Sequence, residues 1–297
     1  MKRHAFVAGA LFFVAPVLMA QTTPPPAAPT AAGAKAPAKA AAPEEEEEYV
    51  VTGLGNRFVQ SYTPLVNKKG LFEAAVTHRF YQPAREAGGG GALGLDGGNS
   101  FGLFLEYAFL KNVAVQIARS DANADYEFAA KVTLLRPSKS LPLAIGLRGG
   151  LDWQTANYLG PNKKSGFFGQ ALVSITIADV ITLAAAPTIV EKTPGGGGSD
   201  GNSSVFNVPI IAQIKITSSI AAIGEYVPAK TSRVPGTVGQ WSFAIEKSVY
   251  HHKFALRFGN SGAVTTDQIM AGDWQGGVTE SNIRLGFNLT RQFDIGN

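Results

Sequence analysis

The stretch Asn282-Ile-Arg-Leu-Gly-Phe-Asn-Leu-Thr-Arg-Gln-Phe293 sorts by parity: Ile283, Leu285, Phe287, Leu289 and Phe293 fall on one side, Arg284, Gly286, Asn288, Thr290 and Gln292 on the other. Successive side chains of extended backbone point to opposite faces, so the segment reads as a β-strand with one apolar and one polar face. What the rest of the chain is depends on whether this alternation recurs.

It recurs eleven times upstream, in segments of about ten residues, the length that crosses an outer membrane when tilted. They are residues 71–82, 100–110, 112–119, 125–135, 141–153, 166–177, 180–190, 204–216, 220–227, 238–247 and 253–259. The connections between them alternate in length. Longer ones, rich in Gly, Asn, Asp and Pro, lie at residues 83–99, 120–124, 154–165, 191–203, 228–237 and 260–281; the shorter ones are Lys111, 137–140, 178–179, 217–219 and 248–252. Long loops at one end, short turns at the other and an even strand count are what a transmembrane antiparallel up-and-down β-barrel requires. The stretch ending at Phe293 then stands where such a barrel carries its closing strand.

One run tempts a different reading. Residues 171–190 carry Asp179 as their only charge, as a membrane helix would. Val173, Ile175, Thr176, Ile177, Val180, Ile181 and Thr182 are β-branched, Ala178-Asp179 interrupts the run, and Pro187 sits late. These features favour a hairpin.

The faces agree across strands. Phe101, Leu103, Leu105, Tyr107 and Phe109 share one parity, as do Trp241, Phe243 and Ile245. The opposite parity carries Glu73, Arg79, Glu106, Glu127, Lys131, Arg148, Asp152, Lys215, Glu225, Glu246, Lys253, Arg257 and Arg284. A charge facing lipid near the midplane costs about 2 to 4 kcal/mol, so these residues are expected to line the lumen. Arg119 and Arg291 have the outward parity but lie at strand ends, where a long side chain reaches the headgroups. Trp153, Tyr158, Trp241, Trp274 and Phe293 suit aromatic girdles.

Residues 1–20 combine a basic start, an apolar run and Ala20, the pattern of a cleavable secretory signal. Residues 21–48 are an Ala- and Pro-rich stretch ending in Glu44 to Glu48, with nothing to bury, and are expected to form a disordered periplasmic tether. Residues 49–70 read as a periplasmic lead-in and 71–297 as the barrel. The acidic run before Val50-Val51-Thr52 is similar to the motif by which energised receptors engage an energy transducer, but a solvated charge run suffices to explain it. A periplasmic partner gripping residues 21–53 stays open. Without the leader, 24 basic and 22 acidic residues leave +2, which gives no reason to expect nucleic acid. Without cysteine, thiolate metal sites, thiol nucleophiles and lipid acylation are excluded.

With the strands placed, a resemblance becomes specific. It is carried by Arg57-Phe58-Val59-Gln60-Ser61, Ala75-Val76-Thr77-His78-Arg79-Phe80, Gly102-Leu103-Phe104-Leu105-Glu106-Tyr107, Lys131, Ala185-Ala186-Pro187-Thr188 and Glu225-Tyr226. His252 to Leu256, Phe258 to Ser261, Asp267-Gln268 and Leu285 to Phe293 complete it. The chain resembles a family of bacterial outer-membrane β-barrel proteins catalogued as a domain of unknown function; Tyr250-His251 departs from the Gly-Gly turn expected there. The resemblance implies a barrel, with lipid and the barrel-assembly machinery as partners, and supplies no activity.

Catalytic candidates are few. His78 has the outward parity, yet no serine and orienting group can be placed beside it for lipid hydrolysis. His251 and His252 are adjacent and would point opposite ways along a strand, a poor start for a metal site. Gly88 to Gly91 and Gly195 to Gly198 precede no Lys-Ser or Lys-Thr and read as loop tips, not phosphate cradles. No enzyme, cofactor or metal is therefore expected. Two readings of the lumen remain: a narrow charge-lined path for passive diffusion of small solutes, placed first, and a closed structural or docking barrel working through its loops and periplasmic tail.

Overall fold

A computed structural model describes residues 55–156, 165–191, 204–228, 239–271 and 283–295. Its strands are β1 (Leu71–Phe80), β2 (Asn99–Leu110), β3 (Val113–Ser120), β4 (Asp125–Leu135), β5 (Leu143–Gln154), β6 (Ser165–Ile177) and β7 (Ile181–Ala185). There follow β8 (Thr188–Val190), β9 (Val205–Asn207), β10 (Ile210–Lys215), β11 (Ile220–Val227), β12 (Gln240–Val249), β13 (His252–Gly259) and β14 (Arg284–Asp294). Each pairs antiparallel with its neighbours, and β1 pairs with both β2 and β14, from Leu71↔Asp294 to Arg79↔Gly286, which closes the sheet. In lipid every backbone N–H and C=O must find a partner within the protein, and closure satisfies this with no free edge.

β7 with β8, and β9 with β10, are halves of one stave each, so fourteen strands make a barrel of twelve. The interruptions lie side by side, because Ala185↔Ile210 and Thr188↔Asn207 keep one register across Ala186-Pro187 and Val208-Pro209. A proline has no N–H to give the ladder. One bond bridges the gap, from the Ala186 N–H to the Pro209 C=O at 3.0 Å.

The apolar run at 171–190 is a hairpin. Ala178 and Asp179 take φ of +50° and +56°, and the Val180 N–H donates to the Ile177 C=O at 3.0 Å. Both central residues in the left-handed region define the two-residue turn whose twist matches its strands. Among the described residues no helix is long and apolar enough to cross a membrane.

Leu147, Phe243 and Leu256 are exposed on the outer surface, while the alternate positions are buried inside. Trp153 and Tyr126 sit together on the outer face at the long-loop end, ring centroids 6.3 Å apart. Arg119 lies over the Tyr126 ring at 5.2 Å and Arg291 over Phe293 at 4.9 Å, so both outward arginines cover aromatic faces near strand ends. Tyr158, Trp274 and Gly195 to Gly198 lie outside the described residues.

Two segments depart from the sequence expectation. Residues 55–66, read as a periplasmic lead-in, fold up inside the barrel, where Phe58, Val59, Tyr62 and Val66 are buried. Residues 260–271, read as part of an extracellular loop, turn inward from the opposite end and carry a short helix, α2 (Thr266–Ala271). Both departures have one cause. A twelve-strand wall leaves inward apolar surface and charges without partners, and the two inserts supply them. Phe58 and Val59 pack on Ile211, Ile223, Ala244 and Ala255, Val66 on Ala108 and Ala114, and Val264 on Ala75, Phe104 and Ala118. Wall glycines make room: a Cβ at Gly146 would stand 2.5 Å from the Pro64 carbonyl oxygen, and one at Gly102 2.3 Å from Val264.

Leu256→Arg puts a charge on the lipid face in the middle of β13 and is expected to cost about 2 to 4 kcal/mol, measured by denaturant titration of the barrel folded in lipid vesicles.

Candidate functional site: the lumen and its two inserts

Residues 56–63 make a tight hairpin. Arg57 bridges to Tyr62, the Thr63 N–H donates to the Asn56 C=O at 3.0 Å, and the Phe58 N–H donates to the Ser61 C=O at 2.9 Å. At the tip the N–H groups of Val59, Gln60 and Ser61 all point at the Glu225 carboxylate, at 2.6, 3.0 and 3.1 Å, and the Ser61 hydroxyl adds a fourth bond at 3.1 Å. Three successive backbone donors make a small anion-binding concavity, here filled by a side chain from β11. Hydrogen bonds to an ionised group are worth about 1.5 to 3 kcal/mol each, so this contact seats the hairpin.

The tip is held from other sides by two arginines. Arg79 donates to the Val59 C=O at 3.4 Å and to the Phe287 C=O on β14 at 3.1 Å, and Arg257 donates to the Gln60 side chain; Arg284 instead donates to the Asn260 C=O of the loop insert at 3.1 Å. Asn288 also reaches the Val59 C=O, at 2.9 Å. Lower in the lumen, Lys131 pairs with Glu106 at 3.3 Å and donates to Asn56 at 3.1 Å. The Thr133 hydroxyl donates to the Pro64 C=O at 2.9 Å and accepts from the Val66 N–H at 2.8 Å.

Wall and inserts meet at the Arg148–Glu127 ion pair. Glu127 accepts from Arg148, from the Tyr62 hydroxyl at 3.2 Å and from the Thr266 N–H at 2.7 Å. Arg148 donates further to Gln170 at 2.7 Å and to the Thr266 hydroxyl at 3.0 Å, and its guanidinium lies 3.7 Å from the Tyr62 ring centroid. Burial pushes the Tyr62 phenol well above its ordinary value, so it remains a donor at any physiological pH.

Of the charges expected to line the lumen, Glu73, Arg79, Glu106, Glu127, Lys131, Arg148, Asp152, Glu225, Glu246, Arg257 and Arg284 are buried inside it. Lys215 and Lys253 are half-buried near the short-turn end, the latter 3.7 Å from Glu246. Toward the long-loop end Asp125, Glu127 and Asp152 stand on β4 and β5 with Asp267 on α2, and Arg79, Arg257 and Arg284 stand on β1, β13 and β14; deeper in the lumen the signs mix, with Lys131 and Arg148 on β4 and β5 and Glu73 on β1. Sequence parity missed the partners inside the inserts, among them Asn56, Gln60, Tyr62, Thr266 and Asp267. The one signal for them was that Arg57 to Ser61 and Asp267-Gln268 fall in blocks carrying the family resemblance.

Of the histidines, His78 stacks on Phe287, ring centroids 5.2 Å apart, and its cross-strand neighbours on the outer face are Phe101 and Phe287. No hydroxyl stands opposite it in the sheet. His252 begins β13 and His251 lies in the turn before it, where Tyr250 takes φ of +51°.

A closed antiparallel sheet, apolar outside and charged inside, with long loops at one end and short turns at the other, defines a transmembrane β-barrel of the outer-membrane kind. The chain belongs to the membrane bound beta barrel domain family DUF5777, whose model matches residues 54–293. It is similar in fold to the COG4313 outer membrane channel from Pseudomonas putida F1, at 11% identity over 77% of this chain and 98% of that one, TM-score 0.47. It is likewise similar to outer membrane phospholipase A from Escherichia coli, at 7% identity over 75% and 93%, TM-score 0.42. A third is the Acinetobacter baumannii outer membrane protein Omp33, at 9% identity over 76% and 99%, TM-score 0.41. No curated protein matches the chain.

Glu225→Ala leaves three buried N–H groups without an acceptor, at about 1 to 3 kcal/mol each, and the least costly relief is for the hairpin to leave the lumen. Trypsin is expected to cut after Arg57 in this variant and not in the folded wild type, as read by mass spectrometry of the barrel fragment; equal protection in both would show that Glu225 does not seat the hairpin.

Proposed function

We propose that this protein is an outer-membrane channel held closed at rest by its own N-terminal hairpin, passing small solutes when the hairpin leaves its seat. The observation that carries this reading is the set of three backbone N–H groups on Glu225. A joint of hydrogen bonds can be exchanged for water when its halves part, and four bonds at about 1.5 to 3 kcal/mol each set the work that displacing the hairpin requires. The wall left behind would present Arg79, Glu106, Lys131, Glu225 and Arg257, a surface that wets, whereas an apolar bore would dewet and stay shut.

Passive diffusion through a permanently open lumen needs the space that the hairpin occupies. Conduction therefore belongs to a displaced state in this reading, and the charges nearest the long-loop end, Arg79, Arg257 and Arg284 among them, would set its ion preference. Residues 21–53 precede the hairpin in sequence and would serve as its handle: a periplasmic partner gripping them would pull on the seat. Export by a leader at 1–20 and insertion by the barrel-assembly machinery belong to the same proposal. A second reading, a closed docking barrel, is favoured by the loop insert, whose Thr266 is bonded directly to the wall residues Glu127 and Arg148.

The test is planar-bilayer conductance of the refolded full chain, with wild type and Glu225→Ala both checked for a folded barrel by heat-modifiable gel mobility. The wild type is expected to be silent at low voltage and the variant to give steady ohmic steps, with an ion preference that moves toward cations when Arg257→Ala is added. Equal steps in wild type and variant would remove the hairpin as the gate. Silence from every folded variant would favour the docking barrel.

A further inference from the structure

Asp125 at the start of β4, Asp152 near the end of β5 and Asp267 in α2 place carboxylate oxygens within 4.8 Å of one another, all three residues buried. Two of them are partly held. Asp125 Oδ2 accepts from the Thr265 hydroxyl at 2.7 Å and from Gln268 Nε2 at 2.9 Å. Asp267 Oδ1 accepts from the Gln268 N–H at 2.6 Å and stands 2.7 Å from the same Thr265 hydroxyl, whose single proton serves one of the two carboxylates at a time. The third is different: Asp152, 3% exposed, has no hydrogen-bond partner on either oxygen and is aimed at the other two. Asp125 Oδ1 is likewise without one.

Among the described residues no basic side chain makes an ion pair with these carboxylates. Arg148, whose charge acts on Asp152 from a distance, spends its donors on Glu127, Gln116, Gln170 and Thr266. Gln154 offers Asp267 Oδ2 a contact at 3.4 Å, at the limit of a hydrogen bond. Three carboxylates in one buried space are stable only if neutralised, and the donors available are all hard oxygens. The geometry points to a divalent cation site, of the kind Ca²⁺ occupies, formed by Asp125, Asp152 and Asp267 between the barrel wall and the inserted loop. Ca²⁺ takes oxygens at about 2.3 to 2.6 Å with loose angular demands, so ligands up to roughly 4.8 Å apart fit across it. Asp267 is the ligand that belongs to the loop, so the ion would fasten the loop to β4 and β5.

The site goes beyond the hairpin reading and does not depend on it. Its test is calorimetric titration of Ca²⁺ into the refolded full chain after stripping with EDTA, together with the melting temperature with and without the ion. Saturable binding near one equivalent is expected, with a rise of several degrees in melting temperature. Asp152→Asn is expected to weaken binding about tenfold or more while melting no lower than the wild type in EDTA, since it removes a like charge. Glu191→Gln, a change in an exposed loop acid, should leave binding unaltered. Absence of Ca²⁺ binding in the folded wild type, or undiminished binding by folded Asp152→Asn, would overturn the assignment.

Discussion

The Arg148–Glu127 pair is the contact on which the arrangement of the interior depends. Both residues are buried, and a charge removed from water is tolerated only when its remaining donors and acceptors are used. Arg148 uses its donors on three wall strands, β3, β4 and β6, and on the loop; Glu127 accepts from the wall, from Tyr62 of the hairpin and from Thr266 of the loop. One ion pair therefore fixes where both inserts stop. The hairpin rises until Tyr62 meets Glu127, and the loop descends until Thr266 does.

The same logic explains why a barrel of this size is filled. Outward parity must be apolar, so every ionisable group on a spanning strand is driven inward. Twelve strands enclose too little water to hydrate so many charges and too much space for the wall to pair them by itself. Backbone from elsewhere in the chain is a good filler, since each residue offers one donor and one acceptor. Glu225, Arg79 and Thr133 all find backbone partners among residues 55–66. Gly146 and Gly102 are the complementary feature, gaps in the wall where inserted chain comes close.

How much of this was legible follows from where the information sits. The staves could be read because lipid imposes a strict period of two, and even the difficult run at 171–190 betrayed its turn at Ala178-Asp179. The charges facing the lumen were legible by the same parity. The hairpin was not: Arg57 to Tyr62 is too short to show a period, its bonds to Glu225 are made by backbone, which has no residue signature, and the partners lie 164 to 166 residues apart. Asp125, Asp152 and Asp267 come from three separate segments, and two of them stand at or beyond strand ends where parity says nothing. Alternation reports which face a residue has; it is silent on what is placed against that face.

The hairpin lies immediately before β1, and β1 is one of the two strands that join to close the cylinder. The piece that fills the barrel is thus tied by a few residues to the seam that seals it. Seating it and pairing β1 with β14 therefore constrain each other. A hairpin already curled against Glu225 and Arg257 would serve as a mandrel about which the last strands wrap, whereas a late one must thread upward from the short-turn mouth. The quality of the interior contacts would then be felt first as the speed and yield of insertion into the membrane.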